Sequence, residues 1–192
     1  MGRFNRLMSR SPSGEKQFIA FPPIPRDPDN PHHGHVSPLI HAVSLLKLSH
    51  GHGLKTICFT KTRQDCESTI LFNPLFYLGI LKQLYESGLG TYAAGYRGGY
   101  SIQDRKTIQT NLSTDKLSIV VCTNALELGV DIGSLDVVLH VGFPGVDSFK
   151  QQAGRVGRRM QQSVSIWVNF KKLMNLDCRW SVQDGALLCE AV

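Results

Sequence analysis

Residues 117–159 constrain this chain more than any other stretch. Two short apolar runs, Leu117 to Cys122 and Leu135 to Val141, bracket the loop Thr123-Asn124-Ala125-Leu126-Glu127-Leu128-Gly129-Val130-Asp131. A basic segment follows, Gln151-Gln152-Ala153-Gly154-Arg155-Val156-Gly157-Arg158-Arg159. In an open parallel sheet, ligands sit in the crevice beyond the carboxyl ends of the strands. Residues 123–131 therefore occupy a site-forming position after the first run, and the Arg-rich segment is expected to bring cations to the same edge.

The flanking residues supply the rest of such a sheet. Ser37-Pro38 is a helix start, with Ser as N-cap and Pro at the first helical position. Leu39, Ile40, Val43, Leu46 and Lys47 then follow a helical stripe of about three turns, ended by Gly51 and Gly53. Thr56 to Thr60 reads as a buried strand, and Thr62-Arg63-Gln64-Asp65 as a capped helix start. That helix is interrupted at Asn73-Pro74 and resumes from Leu75 to Glu86. Thr91 to Gly95 is a short strand, Tyr96 to Tyr100 a loop with an exposed cation, and Ser101 to Leu112 another capped helix. Ser163 to Phe170 is the last strand. Strands alternating with helices at this spacing predict βαβ units and a parallel sheet covered on both faces. Gly51 to Thr56 has the wrong order for a phosphate loop, because a helix precedes it and a strand follows.

The organisation follows from the same reading. Residues 1–36 form an extended, proline-rich arm with one strand, Phe18 to Phe21; residues 37–170 form the α/β domain; residues 171–192 mix polar and apolar positions without clear order. Histidines 32, 33 and 35 stand in a Pro/Gly loop without a second cluster and are read as solvated, so no metal site is assigned. The chain is 192 residues long, 42% hydrophobic and 19% charged, which suits a folded domain with a substantial core. No apolar stretch reaches the roughly 18 residues a membrane span needs, so an intracellular protein without membrane contact is expected. A formal charge of +6 favours an anionic partner, nucleic acid first. Five cysteines without a CxxC pair read as buried reduced thiols.

The chemistry concentrates in the central stretch. If the Arg-rich segment is a helix beginning near Asp147-Ser148, Arg155 and Arg158 share a face. Two glycines inside a helix cost about 1 kcal/mol each relative to Ala, which points to a close backbone approach. Guanidinium groups match phosphate oxygens, and such arginines neutralise charge that accumulates during phosphoryl transfer. From spacing alone, an ordinary basic surface helix fits as well. The loop 123–131 offers hydroxyl, amide and backbone donors to a phosphate and a carboxylate to a ribose or an arginine; alone it also fits a plain strand-to-helix connection capped by Asp131.

Taken in order, the two elements resemble the second RecA-like domain of a superfamily 2 helicase. Thr56 to Arg63 is similar to motif IV, Tyr96-Arg97-Gly98-Gly99-Tyr100 through Arg105 to the next conserved block, Thr123 to Asp131 to motif V, and Gln151 to Arg158 to motif VI. The wording of the last two is closest to the Hrq subgroup of RecQ-related DNA helicases. Ser11-Pro12-Ser13-Gly14-Glu15-Lys16-Gln17-Phe18 through Pro22-Pro23 resembles the interdomain segment of that subgroup.

The resemblance implies a RecA-like parallel sheet with helices on both faces, within a parent that hydrolyses ATP with Mg2+ and unwinds DNA 3′ to 5′ in nuclear genome maintenance. It places Arg155 and Arg158 at the ATP γ-phosphate, with Arg158 favoured as the finger, and Gln151 at the nucleotide cleft. Gly129 and Asp131 fall near the ribose and the motif VI arginines. Thr60, Arg97 and Thr123 face phosphates of DNA, single-stranded or at a duplex junction. No phosphate loop and no Asp-Glu-x-His magnesium motif occurs in these residues. The first RecA-like domain, as partner, is therefore expected to hold most of the ATP and Mg2+, and the chain alone is expected to be inactive. The rivals are an RNA helicase domain of the DEAD/DEAH kind, disfavoured by Gln151-Gln152, and a truncated binding module without turnover.

Overall fold

The computed structural model describes residues 14–21, 25–27, 29–30, 34–60, 73–96, 100–123, 134–142, 145–157, 161–168, 178–183 and 186–191. Its centre is a six-stranded, wholly parallel sheet. The strands are β1 (Lys16–Phe21), β2 (Thr56–Thr60), β3 (Ala93–Tyr96), β4 (Ile119–Cys122), β5 (Val137–Val141) and β6 (Ser163–Val168), in the spatial order β1-β6-β5-β2-β4-β3. The helices are α1 (Pro38–Gly51), α2 (Asn73–Glu86), α3 (Ile102–Ser113) and α4 (Val146–Ala153). This is the RecA-like arrangement expected from the sequence.

Both faces of the sheet are covered, and the strand sequences show why. Side chains alternate between faces along a strand. Cys58, Ile119, Val121, Val137, Leu139 and Val141 meet Ala42, Val43 and Leu46 of α1 and Ile80 and Leu84 of α2 on one side. Their neighbours Ile57, Phe59, Val120, Cys122 and Val138 meet Leu112 of α3 and Val156, just after α4, on the other. A strand buried on both faces reads as a continuous apolar run rather than an alternating one, which is what 117–122 and 135–141 displayed. Each fully buried Leu or Ile in these layers contributes about 1.5–3 kcal/mol.

Local chemistry fixes the element ends. The Ser37 hydroxyl accepts from the Leu39 N–H at 3.4 Å, and Pro38 opens α1. At α3 the Ser101 hydroxyl accepts from the Asp104 N–H at 3.1 Å and donates to its carboxylate at 2.7 Å, the reciprocal cap anticipated from the sequence. Pro74 sits in the first turn of α2, where its missing N–H costs nothing. The anticipated helix start at Thr62 lies outside the described residues. At the amino edge, the Asp136 carboxylate accepts from the Lys55 N–H at 2.8 Å and from the Gln161 side chain, tying the starts of β2, β5 and β6 together.

Two expectations are corrected. The Arg-rich segment is not one helix: α4 ends at Ala153, Gly154 caps it, and Gly157 adopts φ +72°. Gly154 caps the helix in an ordinary right-handed conformation, and Gly157 supplies the left-handed backbone that a side chain opposes. Second, α4 leads from the carboxyl end of β5 toward the amino end of β6, where Gly157 abuts Ser163 and the Gly14 N–H donates to the Gly157 carbonyl at 3.0 Å. The turn bearing Arg155 therefore lies away from the carboxyl edge occupied by Thr60 and Thr123. In the tail, which the sequence left unassigned, β7 (Cys178–Gln183) and β8 (Ala186–Ala191) form an antiparallel pair in which Gln183 opposes Ala186. The strand expected in the arm is β1, and it pairs along its whole length with β6.

Candidate functional site

At the carboxyl edge, β2 ends on Thr60 and β4 leads into Thr123. Thr60 is buried, and its hydroxyl donates to the Cys122 carbonyl at 3.2 Å. It ties the ends of β2 and β4 together directly before Thr123, which is partly exposed. On the neighbouring strand, β3 ends at buried Tyr96. Arg105 of α3 donates from Nε to the Tyr100 carbonyl at 3.1 Å, and its guanidinium lies 5.9 Å from the centre of the Tyr96 ring. A cation over an aromatic face and a hydrogen bond to a carbonyl together tie Arg105 to both Tyr96 and Tyr100. Arg97 itself, with Gly129, Asp131 and Arg158, lies outside the described residues.

The second region is built on α4. Gln151 is exposed at its last turn, whereas the next residue, Gln152, is buried. His140 of β5 donates its Nδ1–H to Gln152 Oε1 at 2.8 Å, a tautomer that leaves Nε2 to accept from the Ser165 hydroxyl at 3.1 Å. Phe59 stacks with the imidazole at 6.1 Å, and Phe149 of α4 tilts against it at 4.4 Å. Burial lowers the His140 pKa to about 4, with the Gln152 hydrogen bond opposing the shift. The ring is therefore neutral and serves as a bridge between strand and helix.

The Arg155 N–H donates to the Gln152 carbonyl at 3.0 Å, so the arginine begins within one turn of that anchor. Its side chain is half-buried. From the opposite side, the Lys16 ammonium of β1 donates to the Ala153 carbonyl at the end of α4. Burial lowers the Lys16 pKa. Sequence reasoning missed His140, Gln152, Ser165 and Lys16. A histidine inside an apolar strand was the available signal, since a buried ring requires polar partners.

The thiols of Cys58 and Cys122 are buried and reduced, and Cys122 donates to the Cys58 carbonyl at 3.5 Å. Among the described residues, no group of three or more His, Cys, Asp or Glu side chains could hold a metal ion, and no helix is long and apolar enough to cross a membrane.

Residues 38–160 match the model of the helicase conserved C-terminal domain. This chain belongs to that family. The helicase domain is 37% identical over 159 residues to ATP-dependent helicase hrq1 of Schizosaccharomyces pombe, covering 82% of this chain and 15% of that protein. It is 38% identical over 161 residues to the uncharacterized ATP-dependent helicase YprA of Bacillus subtilis, covering 82% of this chain and 20% of the relative. Its fold is similar to the crystal structure of the DUF1998 helicase MrfA bound to DNA, with a TM-score of 0.69 and 35% identity over 84% of this chain and 21% of that one. The helicase domain thus spans about a fifth or less of the proteins it resembles.

Proposed function

We propose that this chain is the second motor domain of an ATP-dependent DNA helicase that unwinds 3′ to 5′ and acts in nuclear genome maintenance. The observation that carries the reading is the separation of two regions on one sheet. Arg155 sits on a turn pinned near the amino end of β6, while Thr123 and Tyr96 stand at the carboxyl edge of β4 and β3. One end suits a nucleotide and the other a nucleic-acid backbone, with six hydrogen-bonded strands linking them as a rigid plate. The names of the relatives, ATP-dependent helicases in two organisms and a helicase bound to DNA, support ATP and DNA as the ligands.

In this reading a first RecA-like domain binds most of the ATP and its Mg2+. Arg155 and Arg158 approach the γ-phosphate across the interdomain cleft, with Gln151 beside them and Gly129 and Asp131 near the ribose. A triphosphate suits such a turn: a guanidinium on a fixed backbone neutralises charge without first having to be ordered. The domain's own residues do not transfer the phosphoryl group; they stabilise the charge that develops on it. Thr123 and Arg97 contact DNA phosphates, and Thr60 acts through the position it gives to the end of β4. Contacts of this kind are insensitive to base sequence and weaken as salt rises.

The test uses the full-length gene product that carries this domain. DNA-stimulated ATPase is measured for the wild type and for Arg158→Ala. An arginine finger is worth on the order of 10³ or more in kcat, so the variant is expected to lose essentially all turnover while still binding DNA. Stimulation by RNA in place of DNA, or undiminished turnover in the variant, overturns the assignment.

A further inference from the structure

We infer that Lys16 is a positioning residue for Arg155, holding the end of α4 and the turn after it in the geometry needed at a phosphate. The inference rests on the proposed function for what Arg155 does, and on geometry for how Lys16 acts on it. Lys16 and Phe18 stand two apart on β1 and so face the same side of the sheet. On α4 their partners stand four apart and so share a helix face. Phe18 meets the Phe149 ring at 6.1 Å, and the Lys16 ammonium donates to the Ala153 carbonyl. The strand therefore runs beneath the helix and grips it at two successive turns.

The chain just before Lys16 tightens the same grip. The Gly14 N–H donates to the Gly157 carbonyl at 3.0 Å, and the Glu15 carbonyl accepts from the Ser163 N–H at 3.0 Å. Arg155 is thus enclosed between two backbone points, Ala153 and Gly157, that the segment 14–16 holds directly. The last carbonyls of a helix lack intrahelical donors and carry partial negative charge, so a cation there is favourable in a way that a hydrocarbon of equal length is not. Water could satisfy the Ala153 carbonyl equally well as a hydrogen-bond partner, but it would not tether the turn to β1. The half-buried site also desolvates the ammonium, which lowers its pKa. Positioning the turn, rather than solubility, accounts for a cation in that place.

The test compares Lys16→Met, which keeps an apolar stem and removes the charge, with Lys16→Arg. In the 192-residue chain, amide hydrogen exchange is followed at Gly154 and Arg155, with Ile57 and Val120 as core controls. Lys16→Met is expected to speed exchange at the first pair about tenfold and to leave the controls unchanged. In the full-length gene product it is expected to lower kcat for DNA-stimulated ATP hydrolysis about tenfold, with KM for ATP little changed, because a displaced group costs rate more than binding. Lys16→Arg restores both. Unchanged exchange in Lys16→Met overturns the inference, as does faster exchange with unchanged kcat while Arg158→Ala is inactive. If wild type and Arg158→Ala alike lack ATPase, the proposed function falls, and the exchange measurement still decides whether Lys16 holds the turn.

Discussion

His140 and Gln152 are joined by a hydrogen bond of 2.8 Å between two buried side chains, one on the sheet and one on the helix that leads to Arg155. The bond fixes the rotation of α4 as well as its distance from β5. Since Ser165 takes the other ring nitrogen, no polar atom of the imidazole is left unsatisfied.

Breaking that bond should be costly. Gln152→Ala leaves the His140 Nδ1–H without its acceptor inside the protein, a loss of about 2 kcal/mol. For a chain of this size that is roughly a 4–8 °C fall in melting temperature, measurable by calorimetry. A melting point within a degree of wild type would show that the site refills with water at no cost.

The same histidine predicts a dependence on pH. Its folded-state pKa, about 4, lies below the ordinary 6.5, so between those values the unfolded chain binds a proton that the folded chain refuses. Stability is then complete above about pH 6.5 and is lost as pH falls toward 4, by an amount on the order of 3 kcal/mol. Urea midpoints across this range should decline more steeply for wild type than for His140→Gln. Parallel curves would rule the histidine out as the cause.

Gly157 offers a third check. Its φ of +72° disfavours any side chain, and a Cβ there would collide with the Ser163 side chain. Gly157→Ala is expected to destabilise by about 2 kcal/mol. Ser163→Gly in the same chain should recover the steric part and leave the torsional part, so the double variant falls between the two in denaturant titrations. No recovery would assign the whole effect to the backbone angle.

Burial pushes the Cys58 thiol well above its usual range, and Cys122 is equally enclosed. Thiolates, not thiols, react with maleimides and disulfide reagents. Peptide mapping after labelling of the native protein should therefore find both cysteines unmodified, and denaturant should expose them. Native labelling of either would mean that β2 and β4 open on the timescale of the reaction.

Much of this fold was legible because local and global signals agreed. Thr56 to Thr60 was marked as a strand by its apolar run, and Ser37-Pro38 and Ser101 by capping chemistry that depends only on near neighbours. The order of the motifs identified the sheet and the family. What escaped depended on contacts distant in sequence or on a conformation that two residues share. Gly154 and Gly157 read as helical glycines kept for a close backbone approach, because periodicity does not reveal a turn that φ +72° creates. Lys16 gave no local hint of its partner, Ala153 of α4, which lies 137 residues further on, and nothing near His140 named Gln152 or Ser165 as its partners. The tail was different: Asp184-Gly185, a dipeptide favoured in two-residue hairpin turns, stands between β7 and β8 and was a usable signal.

The pairing of β1 with β6 has a consequence for how the protein is made. Lys16 leaves a ribosome well before its partner strand, which begins only at Ser163. Until Ser163 to Val168 are made, Phe18, Ile19 and Phe21 belong to a strand whose neighbour does not yet exist. Contacts so far apart in the chain form late and leave apolar segments open to wrong associations. The grip on the Arg155 turn is thus completed only after Ser163 is made, and a polypeptide released before that point would lack it altogether.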